Sequence, residues 1–288
     1  MSFHKILCPV DFSEATAGAA RYAAQWARRY NASLTLLHVA PAADFGYSLL
    51  TPEAGSMVEF TQHRNETVRR ALSLFPGEPA LDYPAERAVA VGHPAEEIVR
   101  LAKKDGYDLI VMPTHGAGAI RRWLLVGSVT TKVLHTAECP VLAATDFNGR
   151  TASRGIGHMV CALDLTERCQ PVLCTAAGLA REAGVPLTAV HAVPGLGEAA
   201  ADFFDESWRT TLKSRATESM KKLLEEARVE GRIAVEAGTP EKVVCEVAAS
   251  TGAGLVVAGR GASNGVFGRL RAHTYEIIRH APCPVLSV

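Results

Sequence analysis

Residues 111–144 read VMPTHGAGAIRRWLLVGSVTTKVLHTAECPVLAA, and this stretch decides the fold. With Leu109-Ile110 it opens on a short apolar run closed by Pro113, the signature of a strand buried on both faces of a parallel sheet. A loop carrying Gly116 and Gly118 follows. Gly127-Ser128 then leads into a helix predicted over 129–135, and a second apolar strand starts at Pro140-Val141-Leu142. Strand, glycine loop, helix N-terminus and strand form the layout of a phosphate site. Glycines admit close backbone approach, the first helical amides lack intrahelical partners, and the helix dipole favours an anion there. Ser128 adds a hydroxyl donor.

Residues 255–288, LVVAGRGASNGVFGRLRAHTYEIIRHAPCPVLSV, repeat this layout more weakly and end on the same Cys-Pro-Val-Leu strand (Cys139 to Leu142, Cys283 to Leu286). The rest of the repeat is found by working outward. A first strand over 5–10 ends at Asp11, with Ser13 placed to cap a helix over 15–30 whose apolar face holds Ala19, Tyr22, Ala23 and Trp26. A second strand, 33–39, contains His38. A helix over 52–74, a strand over 87–91, the turn Gly92-His93-Pro94 and a helix over 95–103 follow, with proline in the first helical turn. Residues 145–157, TDFNGRTASRGIG, are polar and aperiodic and read as a linker. The order then begins again. Asp164 and Thr166 answer Asp11 and Ser13, and His191 answers His38; Asp11–Asp164 and His38–His191 are each 153 residues apart. A helix over 207–228, a strand over 232–236 and Gly238-Thr239-Pro240 complete the second copy. Two βαβαβαβαβ units predict two domains, 1–145 and 158–288, joined by 146–157, with parallel sheets and right-handed crossovers. Ligands of such sheets sit beyond the carboxyl ends of the strands.

The 288 residues hold 30 Lys plus Arg against 30 Asp plus Glu. This balance gives no general reason to expect nucleic-acid binding. No apolar run approaches the ~20 residues of a membrane span and no secretory leader is read, so a cytoplasmic protein is expected. The seven cysteines form no CxxC pair and are read as reduced thiols packed as small hydrophobes rather than a redox sensor. No Cys or His pair has metal-ligand spacing.

Pro9-Val10-Asp11-Phe12-Ser13, Gly92-His93-Pro94, Thr114-His115-Gly116, Gly127-Ser128-Val129 and the two Cys-Pro-Val-Leu strands, in this order and largely repeated, resemble the universal stress protein family. The resemblance covers nearly the whole chain outside the linker. It implies two Rossmann-like domains of the adenine-nucleotide α-hydrolase-like class. Each would be a five-stranded parallel sheet of order 3-2-1-4-5, and the domains would pair through their last strands as a pseudo-dimer within one chain, with further homo-oligomerisation open. It also implies ATP, with or without Mg, as ligand. Asp11 and Val39 would contact adenine or ribose. The first-half contact set is Pro9, Val10, Asp11, Val39, Met112, Pro113, His115, Gly116, Gly127, Ser128, Val129 and Thr130. The weaker second-half set is Asp164, Ala192, Gly259, Gly261 and Arg271.

Both halves depart from the family's G-x-x-G, nine residues, G-S/T pattern. In the first, Pro113 takes the first glycine position and ten residues separate Gly116 from Gly127. In the second, counting back from Cys283 places Ala258 and Gly261 at the glycines and Arg271-Ala272 at Gly-Ser, so a degenerate site is expected. Each signal has a plainer reading: Asp11 as a helix cap, the loop as a turn, His115 as a loop hydrogen-bonder, and Arg121-Arg122 and Arg269 to Arg271 as solvated charge. The expected function is ATP-binding regulation from the first half, with an unknown protein partner. No hydrolytic machinery is read, so any ATP hydrolysis should be slow. The alternative is a nucleotide-free interaction scaffold that keeps only the fold. A nucleotidyl transferase is disfavoured because neither an SGGxDS loop nor an HxGH motif is present.

Overall fold

Apolar runs of four to eight residues become strands here because helices cover both of their faces. The computed structural model describes residues 2–41, 66–77, 80–116, 126–147, 155–166, 169–193, 206–260 and 272–288. The chain divides into two compact units, Ser2–Val133 with Ala137–Cys139, and Leu134–Thr136 with Pro140–Val288.

The N-terminal unit runs β1 (Lys5–Pro9), α1 (Glu14–Tyr30), β2 (Ser33–Ala40), β3 (Glu86–Val91), α2 (Pro94–Lys104), β4 (Leu109–Pro113) and most of α3 (Ser128–Thr136). Its strands are ordered β3-β2-β1-β4 and all run parallel, with Pro9 opposite Leu37, Leu7 opposite Ile110 and Ala40 opposite Val91. β4 is buried at every position, whereas β3 is half-exposed. Ser13 caps α1, its side chain accepting from the Thr16 amide, and Asn31 ends the helix in the left-handed conformation. Tyr22, Ala23 and Trp26 are buried as the periodicity predicts. Phe3 wedges edge-on against Trp26 and Tyr30, with ring centroids 5.5 and 5.2 Å away. Of the helix predicted over 52–74, residues 66–74 are helical and the earlier ones lie outside the described residues.

The C-terminal unit contains β5 (Val141–Ala144), β6 (Met159–Ala162), α4 (Cys169–Ala183), β7 (Leu187–Val193), α5 (Glu206–Ala227), β8 (Arg232–Ala237), α6 (Pro240–Ser250), β9 (Leu255–Ala258), α7 (Ala272–His280) and β10 (Val285–Ser287). The strand order is β5-β10-β9-β6-β7-β8. β10, β9, β6, β7 and β8 run parallel. β5, the last strand of the first sequence repeat, packs in this unit and lies antiparallel to β10, with Leu142 opposite Leu286. The boundary in packing therefore falls earlier than the linker read at 146–157. Both leucines are fully buried, so the edge of each strand is covered by the other.

Cys8 and Cys161 are fully buried and burial pushes their thiols up, while Cys245 is pushed up to about 11 and Cys283 to about 12 by the same cause. Cys8, Cys161, Cys169 and Cys283 are buried as expected from the sequence, whereas Cys139 and Cys245 are half-buried and Cys174 is exposed, against the expectation that all seven are packed. No helix among the described residues is long and apolar enough to cross a membrane.

Two outcomes follow. Leu286→Ala should cost about 2–5 kcal/mol, the range for truncating a buried leucine, as read by urea denaturation; a loss within experimental error would mean that the β5–β10 pair carries little of the fold. His158 is 8% exposed and shares a 2.9 Å hydrogen bond with the Thr188 hydroxyl. Burial, with a smaller effect of the Arg232 charge, lowers its pKa. Its contribution to stability is therefore complete above the unfolded-state value of about 6.5 and is lost as pH falls below it. The drop in urea midpoint between neutral and mildly acid pH should be smaller in His158→Gln than in the wild type. An identical drop in both would assign the acid sensitivity elsewhere.

Candidate functional site

The turn after β1 is built the same way twice. The Asp11 carboxylate folds back on its own loop, Oδ1 accepting from the Ser13 amide at 3.0 Å, from the Ser13 hydroxyl and from the Thr16 hydroxyl at 3.0 Å. In the second half, Asp164 Oδ1 accepts from the Thr166 amide at 3.1 Å and the Thr166 hydroxyl at 2.7 Å. Such an Asx turn requires the intervening residue to reverse the chain. Phe12 and Leu165 accordingly sit in the left-handed region at φ 65° and 55°. The histidines expected to be structural are so placed: His38 Nδ1 lies 2.8 Å from the Val10 carbonyl and His191 Nδ1 2.9 Å from the Leu163 carbonyl. The Phe12 ring rests against His38 with centroids 4.5 Å apart.

In the first half this turn meets the glycine loop directly. A Cβ added to Gly116 would lie 2.1 Å from Asp11 Oδ2, so the loop passes against the carboxylate only because residue 116 has no side chain. α3 is tied to the end of β4 by the Gly127 amide donating to the Thr114 carbonyl (2.6 Å) and the Thr130 hydroxyl donating to the Pro113 carbonyl (2.9 Å). Gly127 is the N-cap and supplies no side-chain cap, while Ser128 is exposed beside it. Pro9, Val10, Val39 and Met112 are buried strand-end positions on this rim. His115 Nδ1 lies 3.2 Å from the Thr114 hydroxyl, which is the loop hydrogen bond anticipated for it. The loop tip, residues 117–125, lies outside the described residues, including Gly118, Arg121, Arg122 and Trp123.

The second-half alignment needs correcting. β4 and β9 enter their sheets equivalently, Ile6 pairing with Leu109 and Met159 with Leu255. The Thr274 hydroxyl donates to the Gly259 carbonyl at 2.9 Å, as Thr130 does to Pro113. Gly259, not Ala258, therefore occupies the first glycine position, and Gly261 does not stand opposite Gly116. Counting back from Cys283 fails because the second loop is shorter: the bonded pair is 15 residues apart against 17 in the first half. Arg260 consequently stands opposite Thr114, and both are buried. Gly261 and Arg271 lie outside the described residues.

Asp164, Ala192 and Gly259 come together around a cavity of about 500 Å³ at the carboxyl ends of β6, β7 and β9. Its walls are largely apolar, from Leu163, Val172, Val190, Val244 and Ile277, with Thr166, Thr175, His191, Arg260 and Thr274 as polar members. Burial, and then the nearby Asp164 charge, raises the Cys169 thiol on its wall. At the rim His273 Nδ1 lies 3.3 Å from Glu241 Oε2. Arg260 was missed in the sequence, although counting from the strand starts rather than from Cys283 would have placed it. No cluster of three or more metal-ligating side chains occurs among the described residues.

The contact between Asp11 and Gly116 is testable by a double-mutant cycle. Gly116→Ala should destabilise the wild type by about 1–2 kcal/mol by displacing a carboxylate held by three donors, and by much less in an Asp11→Ala background. Equal costs in both backgrounds would show that the two residues do not meet.

Comparison with known proteins fits this geometry. The universal stress protein family matches residues 2–144 and again 155–288. The chain is 34% identical over 151 residues to universal stress protein YxiE of Bacillus subtilis (strain 168), an alignment covering 49% of this chain and 97% of that protein. It is 28% identical over 164 residues to universal stress protein MJ0577 of Methanocaldococcus jannaschii, covering 51% and 97%. The crystal structure of a universal stress protein from Archaeoglobus fulgidus DSM 4304 shares the fold with a TM-score of 0.69 at 19% identity, covering 98% of this chain and 97% of that one. Each single-domain relative spans about half of this chain, and the family pattern occurs twice along it: the chain belongs to the universal stress protein family as a tandem of two such domains.

Proposed function

We propose that the chain is a cytoplasmic regulatory protein that binds one adenine nucleotide, as Mg-ATP, in its first half. The observation that carries this reading is the start of α3. Gly127 caps the helix without a side chain, so the amides of the first turn and the exposed Ser128 hydroxyl are left for a ligand, the arrangement that suits a phosphate. The bonds from Gly127 and Thr130 to the end of β4 hold this helix start against the sheet rim. Asp11 and Val39 lie on that rim. The Asp11 carboxylate, which lies beside Gly116, is the group that would accept from an adenine amine or ribose hydroxyl. On this reading occupancy rather than turnover carries the signal.

The scaffold reading has one observation in its favour, the three donors that Asp11 takes from its own turn. That network would serve the fold with no ligand at all.

Gly127→Ala separates the two readings. The backbone there is ordinary, φ −60°, and a Cβ would meet the Thr114 carbonyl at 3.4 Å, normal contact. Stability should change by less than about 0.5 kcal/mol, whereas calorimetry should show Mg-ATP affinity falling about tenfold or more, because the added methyl crowds the phosphate approach. Unchanged affinity would remove α3 from the site, and absence of binding to the wild type would favour the scaffold.

A further inference from the structure

We infer that the second-half cavity is a binding site for a small, neutral, mainly apolar molecule, a ring body with at most one uncharged polar group. The inference does not rest on the nucleotide reading of the first half.

The wall of the cavity carries it. A volume of about 500 Å³ lies within the usual range of small-molecule sites, and Leu163, Val172, Val190, Val244 and Ile277 make the lining largely aliphatic. The charged side chains on it are already engaged by the protein. Asp164 Oδ1 holds the Thr166 amide and hydroxyl. Arg260 is partnered within the protein, and its amide donates to the carbonyl of Val288 beside it at 2.9 Å. His191 Nδ1 faces the Leu163 carbonyl, and His273 Nδ1 faces Glu241. Of the three hydroxyls on the wall, that of Thr166 donates to Asp164 and that of Thr274 to the Gly259 carbonyl. The third, that of Thr175 on the half-buried side of α4, makes no hydrogen bond among the described residues.

These observations fix the ligand class. A cation that already has its partner calls for no anion from a ligand. A charged ligand would exchange water for aliphatic side chains, which is unfavourable without a counter-charge to meet it. An apolar body gains by leaving water, and the Thr175 hydroxyl can orient one uncharged polar group. The same wall disfavours a nucleotide phosphate. Counting from the threonine anchors, which are 15 rather than 17 residues from the carbonyls they bind, Arg271-Ala272 stand where the first half has Gly127-Ser128. A Cβ on Gly259 would come within 3.1 Å of Val172 Cγ2, so this strand-end glycine faces an aliphatic side chain rather than space open to an anion.

The probe is N-phenyl-1-naphthylamine, a neutral aromatic body, titrated by fluorescence into the full chain with and without saturating Mg-ATP. Saturable binding of one probe per chain is expected, unaffected by Mg-ATP. Its anionic counterpart 8-anilinonaphthalene-1-sulfonate, the same body with one sulfonate, should bind about tenfold more weakly or worse. Thr175→Trp fills the cavity from α4 and should abolish binding. Thr175→Asp puts a new charge on the wall and should weaken the neutral probe about tenfold or more. The inference is overturned if the wild type does not bind the neutral probe, if the sulfonate binds as tightly, if either folded Thr175 variant binds like the wild type, or if Mg-ATP displaces the probe competitively. The comparison of the two probes on the wild type decides the matter even if neither variant folds. Failure of ATP to bind the first half moves none of these readouts.

Discussion

The runs β3-β2-β1-β4 and β10-β9-β6-β7-β8 are parallel throughout, and the rest of each unit follows from that constraint. Parallel pairing needs a crossover after each strand, the crossovers are helical, and the sheet is buried on both faces. All carboxyl ends then share one rim. Chemistry can be placed only where the chain leaves that rim, and the chain leaves β1 through a turn that needs an unusual backbone. Asp11 and Asp164 hold the turn closed, and Phe12 and Leu165 accept left-handed conformations to make it. Strain of about 1–2 kcal/mol at such a residue persists because the carboxylate, the helix cap and the histidine behind it together fix the loop.

The same rim has been built in two ways. In the first half a glycine lets the loop press on the strand-end carboxylate, and the helix start is left uncapped by side chains. In the second half a buried arginine stands where the first has a threonine, and the glycine is moved to the strand end. These are changes in a handful of residues and in the length of one loop, on an unchanged frame. Such changes leave the fold intact while altering which charges the rim presents.

Much of this was legible in the sequence. The helix boundaries near Ser13, Pro94 and Pro240, the buried face of α1 and the repeat itself follow from capping, period and spacing. The β5–β10 pairing, expected only from the resemblance, has a simple physical cause in two apolar strands that would otherwise be exposed edges. What was not legible depended on register. The sequence offers the invariant-looking Cys-Pro-Val-Leu strand as a ruler, but a loop-length change upstream of it shifts everything on the far side. Only the pairing of Met159 with Leu255, and the bond from Thr274 to Gly259, reveal that Arg260 stands opposite Thr114. The burial of Arg260 was equally hidden, because charge next to glycines ordinarily reads as a solvated loop. The contact between Asp11 and Gly116 joins residues more than a hundred positions apart and has no local signature.

The central claim is that the two halves of this tandem universal stress protein differ in what they hold. Native mass spectrometry of the full chain across a titration with Mg-ATP tests it most directly. The account predicts a single added nucleotide per chain at saturation. Two nucleotides bound with comparable affinity would contradict it, since the second rim would then be as able to take a triphosphate as the first.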